Sequence, residues 1–111
     1  MKNSLHEKIE VIESGYEYLL AYAAQGRESD KGLEVRDTLV NMSAAAADIA
    51  KQLSKGDFAE VVQDDARKSR AAISLVLEQG KISSELVDNL NVSIHLRALL
   101  TDLFLLSETS Q

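Results

Sequence analysis

Residues Leu96 to Leu106 read LRALLTDLFLL, and the placing of their apolar side chains decides what kind of fold this chain adopts. At about 100° per residue, Leu96, Leu99, Leu100, Leu103, Phe104 and Leu106 fill one broad arc, while Leu105 falls opposite. Just upstream, Leu86, Val87, Leu90 and Ile94 occupy a different arc, so a helix drawn through the whole segment is apolar nearly all round. Such a helix has to be covered from more than one side. Three further amphipathic segments of the same chain are the expected cover, and a second copy of the chain is the expected source of the rest.

Those three segments are legible from the amino terminus onward. Leu5, Ile9, Ile12, Tyr16, Leu19 and Ala23 are separated by 4, 3, 4, 3 and 4 residues, the 3.5-residue period of a helix lying along others. Ser4 and Glu7 have the spacing of a capping box that would start this helix, and Gly26 is placed to end it with a left-handed residue. Gly15 falls inside, where glycine costs roughly 1 kcal/mol against alanine. It either admits close packing or is merely tolerated. Val35, Leu39, Met42, Ala46, Ile49 and Leu53 repeat the same spacing after a polar connection in which Ser29 or Asp30 is a candidate cap. The small side chains of Ala44 to Ala47 let a neighbouring backbone approach, and Gly56 is the expected stop.

The third segment carries Val62, Ala66, Ser69, Ile73 and Val76 on one face, behind a second capping-box pattern at Asp57 and Glu60, and runs to Gly80. Ser83 is the expected cap of the fourth, with Ile82 and Val87 as its hydrophobic staple. The closing SETSQ is expected to fray. Helices are thus expected over about residues 5–25, 31–54, 58–79 and 84–107. Each is roughly 30 to 37 Å long at 1.5 Å per residue. Short connections make neighbours antiparallel, so the expected fold is all-α, an up-down-up-down four-helix bundle with residues 1–111 as one domain.

Composition narrows the function classes. A chain of 111 residues can bury roughly 60 to 70% of its unfolded surface, so a core without staples is expected. There is no cysteine, which excludes disulfides, thiolate metal sites and thiol catalysis. The start MKNSLHEKIEVIESGYEY lacks the apolar stretch of a secretory leader, and the longest strongly apolar run is Leu103 to Leu106. No export or membrane span is expected, and the cytoplasm is the expected compartment. A formal charge of −6 argues against nucleic acid and against an anionic membrane as partners. The basic cluster Arg67, Lys68 and Arg70 follows Asp64 and Asp65, so intrahelical pairing accounts for it. The chain contains no proline, as suits long uninterrupted helices.

Chemistry-bearing constellations are few. His6, Glu10, Glu13 and Glu17 form a stripe at spacings of 4, 3 and 4 beside the core seam of the first helix. Di-iron bundles require Glu-x-x-His pairs, and HEKIE at residues 6–10 lacks the second histidine of the zinc-protease motif, so a solvated acidic face is expected and no metal. His95, in IHLRALL, resembles the histidine of phosphotransfer bundles in fold class and in lying on a helix. Those domains tend to carry lysine and glycine soon afterwards, and here Leu96, Arg97 and Ala98 follow. Arg97 stands amid leucines and is expected either to pair with Glu13 or Glu17 or to snorkel to solvent. No phosphate loop, nucleophile elbow or triad is present, so neither catalysis nor a cofactor is expected.

A partner surface is the remaining expectation. Val11, Tyr18 and Tyr22 form a second apolar edge on the first helix, and with the apolar surplus of the fourth helix at Leu99, Leu103 and Leu106 they predict self-association, most simply a twofold homodimer. The reading is of a small acidic interaction or regulatory module acting through protein–protein contacts. A phosphotransfer-like or ligand-sensing bundle is the second reading, and a metal-binding bundle the third.

Overall fold

The 3.5-residue spacing of the first segment produces one long helix, α1 (Lys2–Ala23), that buries Ile9, Ile12 and Leu19 and half-buries Leu5, Tyr16 and Ala23. The structure, a computed structural model, describes the backbone of residues 2–53 and 56–109, with side chains from Ser4 onward. The helix is already formed at Lys2, so Ser4 is not its cap; its Oγ instead accepts a hydrogen bond from Gln52 Nε2 at 3.2 Å. Gly15 admits close packing: a Cβ built on it would lie 2.5 Å from Met42 Cγ. Gly26 turns the chain away with φ of 67°, a conformation that carries no steric penalty for glycine.

α2 (Val35–Gln52) begins four residues later than expected, and the reason lies in the connection before it. Asp30 is not a helix cap. Its Oδ2 takes Arg36 Nε at 2.7 Å and its Oδ1 takes the Ile82 amide at 2.9 Å, which stitches the α1–α2 connection to the α3–α4 connection. Arg36 then donates to the carbonyl oxygens of Leu77, Gln79 and Gly80, at the end of α3 (Asp57–Leu77). Cationic donors at a helix carboxyl end satisfy carbonyls that have no intrahelical partner. The expected end of α2 at Ser54 lies outside the described residues. α3 starts behind Gly56, and no side chain caps it; Asp57 and Glu60 stand inside its first turn, where the helix dipole favours negative charge.

The core faces match the spacing. α2 buries Val35, Leu39, Met42, Ala46 and Ile49, and α3 buries Val62, Ala66, Ser69, Ile73 and Val76. Lys8 pairs with Asp48 at 3.2 Å, so the start of α1 lies against the end of α2. Gln63 reaches the Ala50 carbonyl and Arg70 the Ser43 hydroxyl, so α3 runs back along α2. The basic cluster pairs within its own helix, Arg67 and Lys68 both holding Asp64, at 2.7 and 3.1 Å.

The fourth helix is not continuous. Five helices form among the described residues, and no strand, because the last segment divides at Ser93 into α4 (Ser84–Val92) and α5 (Ile94–Thr109), bent by 56°. The arc of Leu86, Val87 and Leu90 and that of Leu96, Leu99, Leu100 and Leu103 are centred roughly 140° apart on a straight helix. One axis cannot turn both toward a single core. Extended backbone at Ser93 (φ −63°, ψ 141°) ends α4, and its Oγ accepts from the Leu96 amide at 3.5 Å as α5 begins. Val87, Leu90, Leu96, Leu99 and Leu103 are then all buried. Ser83 caps α4 as expected, accepting from the Leu86 amide at 3.0 Å, and both staple residues, Ile82 and Val87, are fully buried. α5 continues through Thr109, so Ser107 to Thr109 of the closing SETSQ are helical; Ser110 and Gln111 lie outside the described residues.

α4 packs on α1, with Ser84 Oγ donating to the Tyr22 carbonyl and Asn91 Nδ2 to the Leu19 carbonyl, and α5 packs on α3, with Ser69 Oγ donating to the His95 carbonyl. No single helix is long and apolar enough to cross a membrane; α4 and α5 reach that length and composition only as a pair, across their bend.

Candidate interaction surface

The six residues expected to meet a partner divide between the interior and the surface. Leu99 and Leu103 are fully buried by the chain itself, and Leu106 is half-buried. Tyr22 is 1% exposed. Its hydroxyl donates to the Ile82 carbonyl at 2.5 Å and its ring stacks on Tyr18, centroids 6.4 Å apart. Burial, then the nearby charge of Asp30, pushes the Tyr22 phenol above its ordinary value. These contacts remove Tyr22, Leu99 and Leu103 from any partner surface, because covering them requires no second chain. Val11 remains exposed and Tyr18 half-exposed, at the rim of a shallow groove of about 370 Å³ between α1 and α2 that is also lined by Glu7, Glu10 and Thr38.

The acidic stripe is an outer face. His6, Glu10 and Glu17 are exposed and Glu13 half-buried; His6, Glu10 and Glu13 line an open trough of about 350 Å³ with Glu7, Ile9 and Ser107, and Glu17 is not part of it. Among the described residues no three histidine or carboxylate side chains are placed to hold a metal ion. His95 projects an exposed side chain, while Asp102, two turns on, is turned into the α3 contact beside Asp65. Arg97 is exposed and forms no ion pair with Glu13 or Glu17, so snorkelling is the outcome.

The outward side of α5 carries apolar residues that the 3-4 spacing does not predict to be exposed. Ile94 is 74% exposed, Phe104 53% and Leu105 50%, on the helix whose other side supplies four of the core leucines. Plotted at about 100° per residue, these three share an outward arc with Arg97, Ala98, Thr101 and Glu108. Phe104, which the spacing places at the margin of the core arc, meets solvent. Leu105, opposite that arc in the sequence, was the available signal. Exposed large apolar residues occur elsewhere, such as Val40 on α2 and Leu75 on α3, but α5 alone gathers three. Comparison with known protein families, with curated proteins and with solved structures gives no match to this chain.

Proposed function

We propose that the chain is a helical interaction module that works through protein–protein contacts and associates with itself, and that its contact surface is the outward face of α5. The observation that carries this reading is the collection of Ile94, Phe104 and Leu105 on one face of one helix, more exposed large apolar side chains than any other described helix carries. Single exposed apolar residues are ordinary on a protein surface, whereas three on one face of one helix make it a candidate contact site. Leu99 and Leu103 are already covered by their own chain, which leaves the outward face of α5 for the contact. Binding rather than catalysis is the assigned role, because the exposed apolar face is the most developed surface feature and the chain's serines and two histidines form no nucleophile motif. Sedimentation equilibrium over micromolar concentrations tests the reading. A concentration-dependent dimer is the expected result; monomer at every concentration would defeat it.

A further inference from the structure

We infer that two copies meet through their α5 helices packed antiparallel about a twofold axis, so that Arg97 of each copy lies against Glu108 of the other. The inference rests on the self-association reading above and supplies its geometry. Ile94, Arg97, Thr101, Phe104 and Glu108 are separated by 3, 4, 3 and 4 residues and so form one outward stripe along α5, with Ile94 and Phe104 its apolar members. α5 therefore carries two seams. The inward one, with Leu96, Leu99 and Leu103, is filled by its own chain. The outward one is bare.

Charge selects both the occupant and the direction. The chain carries a net charge of −6, so most faces of a second copy are repelled. The outward seam of α5 is balanced, one arginine and one glutamate, both exposed and neither in an ion pair among the described residues. They lie 11 residues apart, about 16 Å along the axis. A parallel pair of helices would set Arg97 against Arg97 and Glu108 against Glu108. An antiparallel pair sets unlike charges together twice, and a twofold axis at the level between Asp102 and Leu103 is the one that aligns them. The same axis places Phe104 opposite Thr101 of the second copy, next to Ala98, whose small side chain leaves room for the ring. Such a contact is isologous and closes at two copies. About that axis the two helices overlap over residues 96–109, about 21 Å, with Ile94 just beyond the overlap; a single helix pair of that length falls below the roughly 1,600 Å² of a standard interface, so the dimer is expected in the micromolar range.

Sedimentation equilibrium on the intact chain and four variants tests this. Arg97→Glu and Glu108→Arg each create two like-charge contacts per dimer and are expected to weaken it by about tenfold, from two exposed pairs changed from attraction to repulsion. The double reversal, Arg97→Glu with Glu108→Arg, is expected to return the affinity to within about threefold of the parent. Val40→Glu, on α2 away from α5, is expected to leave it unchanged. Circular dichroism on each variant checks that these exposed substitutions leave the helices intact. A dimer indifferent to either single reversal, or a double reversal no better than the singles, overturns the α5 geometry while self-association stands. Monomer in the parent chain at every concentration overturns both.

Discussion

Asp102 of α5 stands beside Asp65 of α3 at the α3–α5 contact, two carboxyl groups brought together by packing. Asp102 is 6% exposed, and its Oδ2 is sealed from water without an N–H donor. Burial first, and then the neighbouring Asp65 carboxyl, push the Asp102 carboxyl up to about 7. A protonated Asp102 avoids opposing two negative charges in a poorly hydrated place.

Stability should therefore depend on pH through this pair. The folded chain holds the Asp102 proton far more tightly than an unfolded chain, whose value is near 3.8. The stability so contributed is fully present below about pH 4 and is lost as pH rises through about 7. Urea unfolding of the parent chain between pH 4.5 and 8 is expected to show that decline. Asp102→Asn keeps the shape and a donor toward Asp65, and should flatten the profile and exceed the parent at pH 8 by roughly 1 to 3 kcal/mol. Parallel profiles for the two chains would remove Asp102 as the cause.

Gly15 and Met42 set the spacing between α1 and α2. Gly15→Ala gains about 1 kcal/mol in helix propensity but drives a methyl group into Met42 Cγ, at 2.5 Å. Overpacking of this kind costs typically 1 to 3 kcal/mol, so a net loss of roughly 1 kcal/mol is expected. In a Met42→Ala background the same substitution should become neutral or stabilising. A double-mutant cycle in denaturant measures the difference, and additive effects would show that the two side chains do not compete for space.

Arg36 joins both connections at one end of the helices, through Asp30 and through three carbonyl oxygens at and just after the end of α3. Arg36→Met leaves Asp30, which is 12% exposed, without its cation and frees the helix-end carbonyls. A loss of roughly 2 to 4 kcal/mol is expected from a broken, partly buried pair and its hydrogen bonds. Arg67→Met, on an exposed pair within α3, is the control and should change stability by less than about 0.5 kcal/mol. Equal effects of the two substitutions in chemical denaturation would show that the Arg36 contacts are not structural. Asp30 responds in the opposite sense to Asp102. The hydrogen bond from the Ile82 amide, and Arg36 beside it, hold its carboxyl below the usual carboxylate range, so its contribution is lost as pH falls through that lowered value.

Periodicity alone carried the helical class and most of the inward faces of α1, α2 and α3, though Tyr22, read as an outer edge of α1, is buried. A 3-4 spacing of apolar side chains has only one low-energy arrangement, with the stripe turned away from water. Helix ends were less legible. Asp30 looked like a cap, yet its carboxylate is taken by Arg36 and by the amide of Ile82, 52 residues away. Such a partner has no local signature. The carboxyl pair of Asp65 and Asp102 was equally hidden, because it depends on which sides of α3 and α5 meet. The division at Ser93 was half legible: two apolar arcs pointing different ways over residues 86–106 were plain, but a straight helix covered on all sides satisfies the same pattern as a bent one. Only packing against α1 and α3 decided for the bend, since it lets both arcs reach one core. That choice turned Leu99 and Leu103 inward and left Ile94, Phe104 and Leu105 in water.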